Sequence, residues 1–277
     1  MRAVAITLLL LRTLVAQDAV PPASPRPIFE VASIKPGSFP GLPGGTIRWQ
    51  TGGALRVTNM NLKELMEQAY GVFPFQISGG PEWLDSARFD INAKPDHEPK
   101  GQERTLMLQS LLADRFHLSI HRETKELPVY ALVLARKDGK LGPKLTHSKE
   151  DGCTAYDPAN PPARGATVCG TRMFNPSHGF LTIARLPIDS LTKTLSEVLG
   201  RTVIDKTGLT GNLDIHLEYT PDENQLAQFP SDPPTSAPPN GPSIFTALQD
   251  QLGLKLESQK GRVDILVIDR AEKPSEN

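Results

Sequence analysis

The chain has 277 residues, of which 38% are hydrophobic and 22% are charged, and its formal net charge is -1. This length allows one large domain or two small ones, and the composition is typical of a folded globular protein, which excludes wholesale disorder. Because Lys and Arg are balanced by Asp and Glu and form no cluster, the charge pattern argues against a nucleic-acid partner.

Residues 1–16 have the pattern of a signal peptide. A basic start at Arg2 precedes an apolar run, and Ala16 is a suitable cleavage residue. The run is shorter than the roughly 20 residues that span a bilayer, although an N-terminal anchor is the alternative interpretation. We therefore expect an exported chain, periplasmic or secreted, with no membrane span after signal removal. Residues 17–28 are Pro-rich and are expected to form an extended tether.

Residues 29–135 are expected to form a first α+β unit. Asn61 and Glu64 have the spacing of a capping box at the start of a helix, and Gly71 is suited to end that helix. Apolar periodicity and turn residues predict the other elements. These are a strand at 29–35, a hairpin of 46–50 and 54–58, strands at 75–78 and 88–93, a helix at 103–115, and a closing hairpin of 116–122 and 128–135.

Residues 169–272 repeat this order of elements. The tract from Leu213 to Ile215 matches the tract from Phe89 to Ile91, with Asp214 in the place of Asp90. Chance similarity between two amphipathic patterns is the alternative. The repeat predicts an α+β fold of two tandem similar lobes, each with two helices packed on a mostly antiparallel sheet.

Residues 136–168 are expected to connect the two lobes. In an exported chain, Cys153 and Cys169 are expected to form a disulfide across a loop rich in Gly and Pro. A metal site is the weaker alternative, because two Cys without a close pair of His cannot fill a tetrahedral shell. Residues 220–242 are Pro-rich but fall inside the second repeat, so we expect a disordered insertion there. Residues 273–277 are expected to be a tail.

Two short motifs point weakly to serine chemistry. Ser190 and Lys193 fit S-x-x-K, and Lys206 begins K-T-G, the pair found in penicillin-binding proteins and β-lactamases. In those enzymes the two motifs lie far apart in the chain, whereas 12 residues separate Lys193 from Lys206 here, and no S-D-N lies between them. We interpret Ser190 and Lys193 as solvated flanks of an amphipathic helix.

No residue set predicts a catalytic, cofactor or metal site. His117 and His121 are placed on one strand face, where they could share a metal, but the sequence supplies no third ligand. No nucleophile elbow, P-loop or dinucleotide fingerprint occurs. We therefore predict no catalytic residue, no cofactor-binding residue and no metal ligand.

Five tracts follow one another along the chain with distinctive residues and spacing: FEVASIKP (29–36), ISGGPEWL (77–84), ELPVYAL (126–132), VIDKTGLTG (203–211) and LGLKLE (252–257). With these tracts the chain resembles a large family of uncharacterised exported proteins of soil bacteria, defined by a domain of unknown function. The resemblance covers nearly the whole mature chain, and it implies export without implying an activity. The order of helices and strands is also similar to the small N-terminal modules of secretins and TonB-dependent transducers, which work by protein contact.

These patterns favour a binding or signalling module that acts outside the cytoplasm, through contact with a protein or peptide of the cell envelope. The alternative is a secreted hydrolase whose site is assembled from separate loops. A deep pocket with convergent titratable groups would favour the enzyme. An open groove or a bare sheet edge would favour peptide docking by strand addition.

Overall fold

A computed structural model describes residues 26–38, 44–149, 152–156, 160, 163, 167–228 and 241–275. The expected signal peptide and most of the tether lie outside these residues. The fold is α+β, as predicted. The described strands are β1 Val31–Pro36, β2 Thr46–Trp49, β3 Leu55–Asn61, β4 Ile77–Gly79, β5 Arg88–Lys94, β6 Ser119–Leu134, β7 Leu145–His147, β8 Thr171–Asn175, β9 Phe180–Leu186, β10 Val203–Asp205, β11 Leu213–Glu218 and β12 Leu254–Arg270. The described helices are α1 Leu62–Tyr70, α2 Trp83–Ser86, α3 Gln102–Arg115, α4 Asp189–Leu199, α5 Glu223–Gln228 and α6 Ile244–Ala247, and a π-helical turn at Leu248–Leu252 continues α6.

The described strands form three sheets of four strands. The first sheet has the order β1-β5-β3-β2 and the third has the order β7-β11-β9-β8. In both, a hairpin (β2–β3 or β8–β9) lies beside a strand that follows it in the chain, and a strand that precedes the hairpin lies at the far edge. The first and third sheets therefore arrange their elements in the same order.

The second sheet is built on a long two-stranded ribbon. β6 and β12 pair antiparallel from Leu134 opposite Leu254 to Ser119 opposite Arg270. β10 pairs in parallel with one end of β6, and β4 pairs in parallel with the opposite end of β12. The two predicted closing hairpins are therefore wrong. Each is a single strand that pairs with the other.

Pro128 made a turn in the first of these segments look plausible, yet the residue fits within β6. The amide of Tyr130 donates to the carbonyl of Thr202 next to β10, so the amides of even-numbered residues in this stretch point away from β12. β10 reaches only the stretch from Tyr130 to Leu132. The missing amide hydrogen of Pro128 therefore costs no ladder hydrogen bond, which is the position where a strand accepts proline.

The ribbon contributes to two separate hydrophobic cores. Ile268, near one end of β12, packs with α1 and α3 against the first sheet. Leu132 and Leu254, at the other end of the ribbon, pack with α4 and α6 against the third sheet. The ribbon thus belongs to both halves of the molecule.

The start and the end of α1 follow the prediction. The amide of Glu64 donates to Asn61 Oδ1 at 2.8 Å, and the amide of Asn61 donates to Glu64 Oε2 at 2.9 Å, which completes the capping box. Gly71 ends the helix with a φ of 62°, a left-handed conformation that favours glycine.

Two segments hold more structure than the sequence suggested. The predicted connection at 136–168 contains β7, which pairs with β11 as the edge strand of the third sheet. The predicted disordered insertion at 220–242 begins with α5, so that part of the prediction is wrong, and residues 229–240 lie outside the described residues. The Cα atoms of Cys153 and Cys169 lie 5.1 Å apart, at disulfide distance as expected. Among the described residues, no helix is both long enough and apolar enough to cross a bilayer.

The Asp90 and Asp214 match noted in the sequence has a structural reason. Asn59 in β3 and Arg185 in β9 both have left-handed backbones, with φ of 56° and 54°. The amide of Asn59 donates to Asp90 Oδ1 at 2.8 Å, and the amide of Arg185 donates to Asp214 Oδ1 at 2.9 Å. Each carboxylate on the neighbouring strand therefore holds an irregular residue shortly before α1 or α4 begins.

Replacing either carboxylate should destabilise the fold. We expect Asp214→Ala and Asp90→Ala each to lower the free energy of unfolding by about 1–3 kcal/mol, because a strained backbone amide loses its charged acceptor. Urea unfolding followed by circular dichroism measures the change. Asp114→Ala, at an exposed position of α3, is the control and should change stability by less than about 0.5 kcal/mol. Unchanged midpoints for both test variants would contradict this role.

Reduction of the cysteine pair should also destabilise the chain. The pair closes a loop with a sequence separation of 16, and the chain-entropy relation gives a stabilisation of about 3 kcal/mol for a loop of that size. Denaturant unfolding with and without dithiothreitol checks this value. A Cys153→Ser and Cys169→Ser double variant should match the reduced wild type and should not respond to dithiothreitol.

Candidate functional site

A cleft of about 600 Å³ lies between the two halves of the molecule. One side is formed by the C-terminal end of α1 and the segment that follows it, and the other by α4 and β8. This volume falls in the range of small-ligand sites in proteins. The lining residues are Glu67, Gln68, Gly71, Val72, Phe73, Pro74, Phe75, Arg172, Lys193, Glu197 and Gly200.

The ends of two helices border the cleft. Gly71 and Gly200 end α1 and α4 with left-handed φ of 62° and 58°, and the Gly71 amide donates to the carbonyl of Glu67. The C-terminal end of a helix carries the negative end of its dipole. The cleft therefore receives negative potential from both halves.

An apolar wall follows directly after α1. The rings of Phe73 and Phe75 stack with centroids 5.3 Å apart, and both rings are half-buried. The side chain of Gln76 fixes this segment, because it accepts from the Phe73 amide at 3.1 Å and donates to the Asp264 carbonyl of β12 at 3.0 Å. The segment that carries the stacked rings is thereby tied to the ribbon.

The opposite wall carries charges that are paired within the chain. Arg172 of β8 donates from Nη1 to Thr194 Oγ1 at 2.9 Å and lies 3.6 Å from Glu197 Oε2. Lys193 Nζ lies 2.7 Å from Asp189 Oδ2, one turn earlier in α4. Both cations of the cleft therefore already have carboxylate partners.

Glu67 differs from these residues. Its carboxylate makes no hydrogen bond and no ion pair with any residue that the structure describes. Burial, reinforced by the negative charges of Glu64 and Glu197, raises its pKa to about 7. Lys63 opposes this rise, but its ammonium is engaged with Asp85 Oδ1 at 3.3 Å.

A half-buried carboxylate without a partner opposes folding at neutral pH, because ionisation there must overcome burial and repulsion. Strongly perturbed carboxyl groups in clefts are typical of functional sites. The cleft around Glu67 is therefore the best candidate for a functional site among the described residues.

The motif residues considered in the sequence do not converge on a common site. Lys193 lies at the rim of the cleft and pairs with Asp189, whereas Lys206 Nζ donates to Gln259 Oε1 on the ribbon. Thr207 bonds to Asp205 Oδ1 through its hydroxyl, at 2.7 Å. The two motifs therefore serve local structure in α4 and after β10.

The two histidines also have separate environments. His117 precedes β6 with a left-handed φ of 47°, so its placement on one strand with His121 is wrong. His121 lies between Asp269 and Glu123, and the hydrogen bonds to Glu123 and Asp269 raise its pKa. Among the residues that the structure describes, no group of three or more His, Cys, Asp and Glu side chains has an arrangement that could hold a metal ion.

Sequence reasoning did not single out Glu67, Phe73 or Phe75. Glu67 lies on the same amphipathic helix as the predicted cap, and the tract VFPF follows its terminal glycine. The available signal for a site was this apolar tract, because it lies just beyond a helix end, where the sequence predicts a turn to a short strand. What faces this tract depends on α4, which lies more than a hundred residues further along the chain.

Comparison with known proteins places most of the chain in one family. The family model described as "Protein of unknown function (DUF3738)" matches residues 63–271. No curated protein and no solved structure matches the chain. The similarity to secretin and TonB modules therefore stays a prediction.

Neutralising Glu67 should stabilise the free protein at neutral and higher pH. The folded-state pKa is about 7 and the ordinary value is 4.5, so wild-type stability falls as pH rises from about 4.5 to 7. After allowance for partial exposure, we expect Glu67→Gln to raise the free energy of unfolding at pH 8 by about 1–2 kcal/mol. The gain should vanish near pH 4.

Urea unfolding at pH 4, 6 and 8 measures this dependence. Glu126→Gln, at an exposed position of β6, is the matched control and should show no comparable gain at any pH. A Glu67→Gln variant that is no more stable than wild type at pH 8 would contradict the assignment of a strained carboxylate.

Proposed function

We propose that this chain, which belongs to the DUF3738 family of proteins of unknown function, is a binding or signalling module that takes a peptide segment in the cleft between α1 and α4. The observation that carries the proposal is an apolar wall and a charged wall that face each other beside an edge strand. A few polar groups on a mainly apolar surface are typical of ligand sites.

The edge strand is β8. Among the described residues, β8 pairs only with β9, so its outer side offers backbone groups to another strand. Arg172 of β8 reaches the cleft, and the next residue, Met173, is 61% exposed. An extended peptide that paired with β8 would direct alternate side chains toward the cleft.

The proposal includes export and an internal duplication. The disulfide distance between Cys153 and Cys169 supports an oxidising compartment, and the signal pattern at residues 1–16 supports passage to the periplasm or beyond. The shared strand order of the first and third sheets supports descent of both halves from one unit. Mass spectrometry of the chain from the periplasmic fraction should find Gln17 at the N-terminus. An uncleaved chain confined to the cytoplasm would contradict export.

A secreted hydrolase is the second candidate, and the raised pKa of Glu67 favours it. A carboxylate that titrates near pH 7 is suited to act as a general base. Against this, the described residues that line the cleft include no Ser, Thr, Cys or His that could act as a nucleophile. Direct activation of water by Glu67 is the remaining route.

A peptide array tests binding and hydrolysis together. We expect the purified protein to bind to a subset of the immobilised peptides, those with apolar side chains. The double variant Phe73→Ala and Phe75→Ala should bind that subset with about tenfold lower affinity. These partly exposed rings are not expected to control folding. Fluorescence anisotropy with the best peptides gives the affinities.

Tyr156→Ala is the matched control for the array, because this aromatic side chain is 65% exposed and does not line the cleft. It should retain wild-type affinity. Equal binding by the double Phe variant would exclude the cleft as the peptide site. Cleavage of bound peptides, seen by mass spectrometry and lost in Glu67→Gln, would establish the hydrolase instead.

A further inference from the structure

The charged side chains of the cleft differ in whether they have a partner within the chain. Arg172 is shared between Thr194 and Glu197, and Lys193 is paired with Asp189. Glu67 has no such partner among the described residues. The charged group of this cleft that can form an ion pair with a ligand is therefore an anion, and the complementary ligand group is a cation.

The electrostatic surroundings favour the same sign of ligand charge. Glu64 and Glu197 act on Glu67 with negative charge, and the C-terminal ends of α1 and α4 add the negative ends of their dipoles. A ligand carboxylate would be repelled by this environment. A ligand ammonium or guanidinium would be attracted to it.

The aromatic wall suits the rest of such a ligand. Phe73 and Phe75 present half-buried stacked rings beside Glu67 in the same cleft. Aromatic faces attract cations, and they also pack against the methylene stems of Lys and Arg side chains. An apolar stem and a charged end can therefore be bound together.

We propose that the cleft recognises a cationic group, a primary ammonium or a guanidinium, carried on an apolar stem, with Glu67 as the recognising carboxylate and Phe73 and Phe75 as the wall for the stem. This inference rests on the proposed binding function and deepens it. In a peptide ligand, the recognised group is a Lys or Arg side chain or a free N-terminus next to an apolar residue.

Recognition by Glu67 makes binding depend on pH. The charged and titratable groups that act on Glu67 are Glu64, Lys63, Asp85 and Glu197, while Arg172 and Lys193 complete the cleft. The ammonium of Lys or of another alkylamine stays protonated below a pH of about 10, so with such a ligand Glu67 is the group that changes charge near pH 7. Affinity for a cation should therefore fall as pH falls below about 7, by up to about tenfold per unit.

Three probes that differ mainly in charge test the proposal on the full chain. They are 4-phenylbutylamine, 4-phenylbutanol and 4-phenylbutyrate, and titrations are followed by NMR with ¹⁵N-labelled protein at pH 8. We expect the amine to shift the NMR signals of Gly71, Phe73 and Phe75. Its affinity should be about tenfold higher than that of the alcohol, because a charge-assisted hydrogen bond to Glu67 contributes a free energy of about that size. The carboxylate should bind least.

Glu67→Gln should bring the amine and the alcohol to equal affinity, while Glu126→Gln should keep the tenfold difference. At pH 5.5 the wild type should also lose most of its preference for the amine. Because Glu67→Gln is expected to be at least as stable as wild type, lost preference cannot be assigned to unfolding.

Equal binding of amine and alcohol to the wild type would overturn the proposal, as would a preference that survives in Glu67→Gln. No shift of cleft signals by the amine would overturn it as well. None of these outcomes decides whether the cleft binds peptides through its apolar wall, because the peptide array with the Phe73 and Phe75 variant answers that question separately.

Discussion

β6 and β12 pair over their whole length, and this hydrogen-bonded ladder fixes the position of the two halves of the molecule relative to each other. Ile268 at one end of the ribbon is buried in the first core, and Leu132 and Leu254 at the other end are buried in the second. A shift of the register by one residue would turn these side chains to the opposite face, so the register is strongly specified. The space between α1 and α4 is a consequence of this ladder.

The cleft shows how a stable frame can hold an unfavourable local arrangement. Gln76 ties the aromatic segment to β12, and Arg172 ties β8 to α4, so both walls are positioned by hydrogen bonds within the chain. Glu67 is then left half-buried among like charges, and burial raises its pKa. Local arrangements that oppose stability in this way are common at functional sites of proteins. Since both walls are set before a ligand arrives, little ordering is required on binding.

Local signals in the sequence were sufficient wherever a few neighbouring residues decide the structure. Asn61, Glu64 and Gly71 predicted the limits of α1 because a capping box and a left-handed glycine act within one turn. The match between Asp90 and Asp214 was visible in the sequence, but its cause was not. That cause is a pair of left-handed residues on neighbouring strands, which no linear pattern displays. The predicted closing hairpins were wrong because β6 and β12 pair with each other as continuous strands, and no local pattern shows this distant partner.

By itself, the sequence determined the α+β class, the positions of most helices and strands, and the two cysteines expected to pair, because apolar periodicity, caps and cysteine spacing are local properties. Only the tertiary structure decided that β6 and β12 are continuous strands of one ribbon and that α1 and α4 end at a common cleft. Pairing between strands more than a hundred residues apart depends on which surfaces are buried together. Glu67 became a candidate for function through the same burial, since its pKa depends on neighbours from both halves.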